Sequence, residues 1–178
     1  QTVKKIIKRA FIVIAILLFV TAFCFENMKR NSVYYAKNTP HKEGTEPVLM
    51  MVVDNLEWIY NPEVKTLKYD FDGQPCVQFY TSNGKQKGFI TPVCRYDKNK
   101  KNYIYKDDEW EISLILDYNF NPDIAYDYGH EKIQITKLDN KEIKQKLYNN
   151  LQPIIDAQRK PKVNLQWLFD IVYKDKFN

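Results

Sequence analysis

The chain has 178 residues, with 27 Lys and Arg against 22 Asp and Glu, five glycines, three cysteines and two histidines, and a net charge of +5. The length leaves room for one ordinary domain and excludes two. The basic excess excludes less than it suggests: residues 1–30 hold six basic residues and one acid, while residues 31–178 hold 21 of each sign, so no nucleic-acid partner is expected.

The chain opens with "KKIIKRAFIVIAILLFVTAFCFENMKR", residues 4–30, in which the sixteen residues Ala10 to Phe25 carry no charge. As a helix those sixteen would span about 24 Å, short of the ~30 Å hydrocarbon core. Ile6 and Ile7 lengthen the apolar run to residues 6–25, and the stems of Lys4, Lys5, Lys8 and Arg9 can lift their charges into the headgroups. Residues 1–30 are therefore expected to be a single-pass signal-anchor. Val20-Thr21-Ala22 is a tolerable cleavage site, which leaves an export signal cut after Ala22 as the alternative. Four basic residues before the span against Lys29 and Arg30 after it predict a cytoplasmic N-terminus and a domain outside, in a bacterial inner membrane the periplasm.

"NSVYYAKNTPHKEGTEP", residues 31–47, is polar with two prolines and reads as a stalk. Residues 48–178 then form the outer domain. "TEPVLMMVVDNLEWIYNP" predicts a helix, capped by Thr45 with Pro47 in its first turn, that places Leu49, Val52, Val53, Leu56 and Ile59 or Tyr60 on one face. After it the period changes to two. Strands are expected at Val64–Phe71, Cys76–Thr81, Gly88–Cys94, Asn102–Lys106, Trp110–Tyr118 and Glu131–Leu138, and their short connections favour a meander.

"LDNKE" announces a second helix, with Asp139 as cap, Glu142 completing a capping box and Ile143, Leu147, Leu151 and Ile154 as its apolar stripe; Pro153 is expected to kink or restart it. From Val163 to Tyr173 apolar residues alternate, which predicts a last, central strand. The fold class is α+β: an antiparallel sheet of about seven strands with two helices on one face. In an oxidising compartment Cys76 and Cys94 could form a disulfide, provided the hairpin between them has a five-residue loop at 83–87. A two-residue turn at Asn83-Gly84 would instead set Cys76 opposite Thr91, too far from Cys94.

The chemistry-bearing residues are sparse. GxSxG, HExxH, CxxC and phosphate-binding glycine loops are missing from the sequence. His41 falls in the stalk, so a His-based site would have to use His130. The basic run "KNKKN", 98–102, reads as a solvated hairpin loop. No metal, cofactor or catalytic residue is assigned, although a glycosidase needs only two placed carboxylates, which keeps a cell-wall or lipid hydrolase as a third reading. The densest polar cluster is "DYNFNPDIAYDYGHE", 117–131. Its spacing fits no calcium loop, but tyrosines among acids suit a protein contact, so Tyr118, Asp123, Tyr126, Asp127, Tyr128 and Glu131 are the expected partner-binding set, with "KDDEWE" at 106–111 as a neighbouring acidic rim.

In organisation, one span and a Tyr-, Asn- and Lys-rich outer domain without a catalytic motif, the chain resembles the membrane-anchored immunity proteins that bacteria pair with secreted antibacterial toxins. The resemblance carries no motif and transfers no residue. It implies a domain that neutralises a toxin by covering it outside the cytoplasm. The alternative is a bitopic accessory subunit of an envelope machine for secretion, pili or division.

Overall fold

Nothing in the first thirty residues stops a helix, and Thr2–Arg30 form one without interruption (α1). At 1.5 Å per residue its 29 residues extend about 43 Å, enough to cross a bilayer core and emerge. The computed structural model describes residues 2–93, 102–129, 131–134 and 138–178. Among these, α1 is the one helix long and apolar enough to cross a membrane, with a mean hydropathy of 2.4 and no part of that window buried. Inside it the Thr21 hydroxyl donates to the carbonyl of Leu17 at 2.8 Å, which satisfies the one polar side chain of the apolar run.

Residues 31–47 are not a stalk. Ser32–Ala36 form a short helix (α2) in which Ser32, Val33, Tyr35 and Ala36 are buried. The Tyr35 hydroxyl donates to Asn27 Oδ1 at 2.7 Å and accepts the Leu165 N–H at 3.1 Å. Thr39 Oγ1 lies 2.9 Å from both the Tyr35 carbonyl and Asp170 Oδ1, and Lys42 N–H donates to the Phe177 carbonyl at 2.8 Å. The polar residues that suggested solvation bind the segment to the C-terminal part of the chain instead.

Pro47–Asp54 form the helix expected at the start of the domain (α3), with Glu46 rather than Thr45 at its N-cap and with Leu49 to Val53 all buried. It is apolar all round, the mark of a helix enclosed on every side. The sheet follows: Leu67–Asp70 (β1), Cys76–Tyr80 (β2), Gln86–Val93 (β3), Asn102–Asp107 (β4), Ile112–Leu116 (β5), Pro122–Asp127 (β6) and Lys132–Ile133 (β7). Each strand pairs antiparallel with the next, a seven-stranded meander in the order β1 to β7. The inner row, Val77, Phe79, Ile90, Tyr103, Tyr105, Leu114, Leu116 and Ala125, is buried. Gly88 sits at φ +147 where a Cβ would lie 2.0 Å from the Lys106 carbonyl, so β3 and β4 can approach there only with glycine.

The β2–β3 hairpin decides the cysteine question. Thr81 and Lys85 bond across a three-residue loop with Gly84 at φ +85, and a bulge after Phe79 then gives Val77↔Ile90. Continued by one residue, that register sets Cys76 opposite Thr91, whose hydroxyl donates to the neighbouring Pro75 carbonyl at 3.1 Å. Cys76 is a free thiol, and burial, with a smaller contribution from Asp70, pushes its pKa up to about 11. The five-residue loop needed for the expected disulfide does not form; Cys94 itself lies outside the described residues.

Asn140–Ala157 (α4) begins as expected, with Asp139 Oδ1 accepting the Lys141 N–H at 2.8 Å and with Ile143, Leu147, Leu151 and Ile154 buried. It continues through Pro153 without restarting, since Leu151, Ile154 and Ile155 on either side are all held in the core. The final strand is contradicted: Gln166–Phe177 is a helix (α5). Leu165, Phe169, Tyr173 and Phe177 recur every four residues and point inward, with Phe169 stacked on Tyr173 at 4.3 Å and Tyr173 on Phe177 at 5.6 Å. The place of the lost strand is taken by β6, where the sequence suggested a loop. Of the strand expected at Glu131–Leu138 only β7 forms among the described residues. The fold is thus α+β, with α3 and α4 packed on one face of the sheet.

Candidate functional site

The expected contact residues separate into two places, because β6 is a strand and carries them to its opposite ends. Tyr118 and Asp123 stand where β6 begins, in a cavity of about 650 Å³ that also takes in Lys29 from the last turn of α1 and Lys176 from α5. Tyr126, Asp127, Tyr128 and Glu131 stand where β6 ends and turns into β7. Asp127 stands four residue steps along the strand from Asp123, about 13 Å away. The second group therefore lies at the far end of the strand from the exit of α1.

The cavity near α1 is lined by side chains already engaged in the fold. Asp54 Oδ1 accepts from the Tyr103 hydroxyl at 3.1 Å, and its Oδ2 is 2.8 Å from Lys176 Nζ. Asp117 accepts the N–H groups of Asn119 and Asn121, both at 2.8 Å, and so shapes the turn in which Phe120 adopts φ +61 and stacks on Tyr103 at 4.4 Å. The Tyr118 hydroxyl donates to the Lys176 carbonyl. Lys29 Nζ donates to Asn55 Oδ1 at 2.9 Å. These groups join α1, α3, the sheet and α5 to one another.

At the far end the arrangement faces outward. Tyr128 is 40 % exposed, Lys106 Nζ sits 4.6 Å from its ring centroid, and its hydroxyl donates to Asp108. Lys106 and Asp108 are 3.6 Å apart, which closes the triangle. Burial and the Asp108 carboxylate raise the Tyr128 pKa, so it stays a neutral donor. Asp127 is occupied by the turn, its Oδ1 accepting the Glu131 N–H at 2.8 Å. Lys106, Ser113, Tyr126, Asp127 and Tyr128 outline a cleft of about 460 Å³. Tyr126 belongs to the sheet face that, among the described residues, no helix covers: Phe89, Thr91, Ile104, Lys106, Ser113, Ile115 and Ile124 are its half-buried neighbours there.

The acidic "KDDEWE" rim divides as well. Asp108 faces the Tyr128 cluster, whereas Asp107 is 2 % exposed and turns inward. Its carboxylate meets the Tyr105 hydroxyl at 2.5 Å, Lys146 Nζ of α4 at 2.8 Å and the Trp110 N–H at 3.0 Å. Burial pushes its pKa upward, but the bonds from Lys146, Tyr105 and Trp110 together hold it below the usual carboxylate value. Lys146 also lies 4.0 Å from the Trp110 ring centroid and 3.0 Å from Glu109, so this network fastens α4 to the β4–β5 turn.

Among the described residues no three His, Cys, Asp or Glu side chains converge as a metal site would require. His41 Nδ1 lies 2.9 Å from the Thr39 carbonyl, and His130 lies outside the described residues. The sequence reading missed a further set around the exit of α1: Trp58, Trp167 and Ile171, which are exposed, and the basic run 159–162. The signal available for the C-terminal part of this set was Trp167 following "RKPK" at 159–162. No family model matches the chain, no curated protein matches it in sequence and no solved structure matches it in fold.

Proposed function

We propose that the chain is a membrane-anchored, extracytoplasmic protein-binding domain, and specifically an immunity protein that neutralises a secreted antibacterial toxin by occluding it. One observation carries this reading: among the described residues no helix covers the sheet face opposite α3 and α4, which ends in a cluster of Tyr126, Tyr128, Lys106 and Asp108. Tyrosines held in place by neighbours before a partner arrives lose little entropy on binding and make effective anchors. Half-exposed Phe89, Ile104, Ile115 and Ile124 extend the cluster as an apolar strip with Lys and Ser between. This face is mixed in charge, which suits a protein surface better than a phosphate backbone.

The four basic residues ahead of the apolar run support an N-terminus in the cytoplasm of a bacterial inner membrane and a domain in the periplasm. Anchoring there keeps the inhibitor at high effective concentration where a toxin acting on wall or lipid must work. The test is protection. Cells that receive in their periplasm the toxin encoded beside this chain should survive with the wild type and die with Tyr126→Ala/Tyr128→Ala. Equal survival with that double variant removes this face from the account.

A second reading has its own observation. The last turns of α1 are fixed to the domain through Asn27, Lys29 and Phe25, as a subunit that transmits orientation across a membrane would require. Replacing α1 by an unrelated span separates the two: an immunity protein keeps its activity, and a subunit of an envelope machine loses it.

A further inference from the structure

We infer that the outer face of α5, together with Trp58 and the basic run 159–162, is a membrane-docking surface that seats the domain on an anionic phospholipid leaflet. The inference rests on the reading of α1 as a membrane span. It starts from an imbalance in α5. Phe169 and Phe177 are fully buried and Tyr173 packs beside them, yet the outward side of the helix presents Trp167, Ile171 and Val172 at 63, 66 and 55 % exposure, next to exposed Lys174 and Asp175. Large exposed apolar groups among charged ones suit the boundary between lipid and water.

The position of α5 puts it at that boundary. Asn27, in the last turns of α1, donates to the Val163 carbonyl at 3.2 Å, and Val163 is itself 46 % exposed three residues before α5 begins. At its other end α5 shares the cavity that holds Lys29. Phe25, the last residue of the uncharged run, meets Trp58 edge-on at 6.0 Å. Trp58 therefore lies at the level where the apolar span gives way to headgroups, the depth that tryptophan prefers. A bilayer that receives α1 up to Phe25 reaches the aromatic and aliphatic groups gathered around its exit.

Charge agrees. Arg30, Tyr60, Arg159, Lys160 and Lys162 border a cleft of about 350 Å³ beside the same exit. Among the described residues Arg159, Lys160 and Lys162 form no ion pair, so their charges are available to lipid phosphates. Apolar groups with flanking cations are the composition of an interfacial anchor. The domain would then be held by α1 and seated by α5, with the Tyr126 end of β6 directed away from the lipid.

The three tryptophans make the test internal, because Trp110 is packed against Lys146 away from the exit. The full chain is reconstituted in vesicles containing anionic lipid brominated in the upper acyl chain, in versions retaining one tryptophan each, and resistance to alkaline extraction reports insertion of α1. Docking predicts quenching of Trp58 and Trp167 but not of Trp110. It also predicts that Arg159→Gln/Lys160→Gln/Lys162→Gln lowers the docking equilibrium by about a hundredfold, at roughly fivefold for each charge removed at an anionic surface. Inserted protein with Trp167 quenched no more than Trp110 overturns the docking surface alone. Protein extracted by alkali overturns the span, and the docking with it. Quenching unchanged by the triple variant, or equal in zwitterionic vesicles, overturns the electrostatic part.

Discussion

The helices α4 and α5 follow one another in the chain and answer to different surroundings. α4 keeps its buried apolar residues in a single stripe, Ile143, Leu147, Leu151, Ile154 and Ile155, and gives most of the remaining positions to Lys, Gln, Asn and acids. α5 buries Phe169 and Phe177 but exposes Trp167, Ile171 and Val172 on its outward side. A helix between a core and water shows one apolar stripe; a helix between a core and the boundary of lipid and water also carries large apolar groups among its exposed charges. The same difference explains why α4 was legible and α5 was not.

That comparison can be broken at several places. Phe169→Ala should have the largest effect, a loss of about 3–5 kcal/mol in denaturant unfolding of the detergent-solubilised chain, since it empties the centre of the ring stack. Leu147→Ala in α4 should cost about 2–5 kcal/mol by the same assay, because Leu147 is fully buried. Lys146→Met should cost about 3 kcal/mol by leaving Asp107 buried without its cation.

The Asp107 network also has a pH signature. Its carboxyl is held below the ordinary value in the folded state, so its contribution is complete above the unfolded pKa of about 4 and disappears as pH falls through the lower, folded value. Unfolding measured from pH 7 to pH 2 should show this loss in the wild type and a shallower slope in Lys146→Met. Smallest of all should be Trp167→Ala, within about 0.5 kcal/mol in detergent because the side chain is mostly exposed. A loss as large as that of Phe169→Ala would mean that both faces of α5 belong to the core.

Legibility followed the number of surroundings each segment meets. β2 to β5 were readable because buried Val77, Phe79, Ile90, Tyr103, Tyr105 and Leu114 alternate with half-exposed residues, the pattern of a sheet covered on one side. In 163–173 apolar residues occur at period two and at period four at once, and only the second is used for burial. β6 was hidden by Pro122, Asp123 and Asp127, which look like loop residues but sit at strand ends. The strap 31–47 was hidden because its Thr39 is satisfied by Gln166 and Asp170, partners more than a hundred residues away that local polarity does not reveal. The candidate contact residues could be picked out in the sequence as tyrosines among acids, but their division between the two ends of β6 depends on a strand that the sequence did not show.

The most direct test of the two-faced account places one photo-crosslinking residue at a time in native membranes, at Tyr126 on the uncovered sheet face and at Trp167 on the outer face of α5. The account predicts a discrete protein adduct from position 126 and a lipid adduct from position 167. Lipid at 126, or a protein adduct in place of lipid at 167, would contradict it.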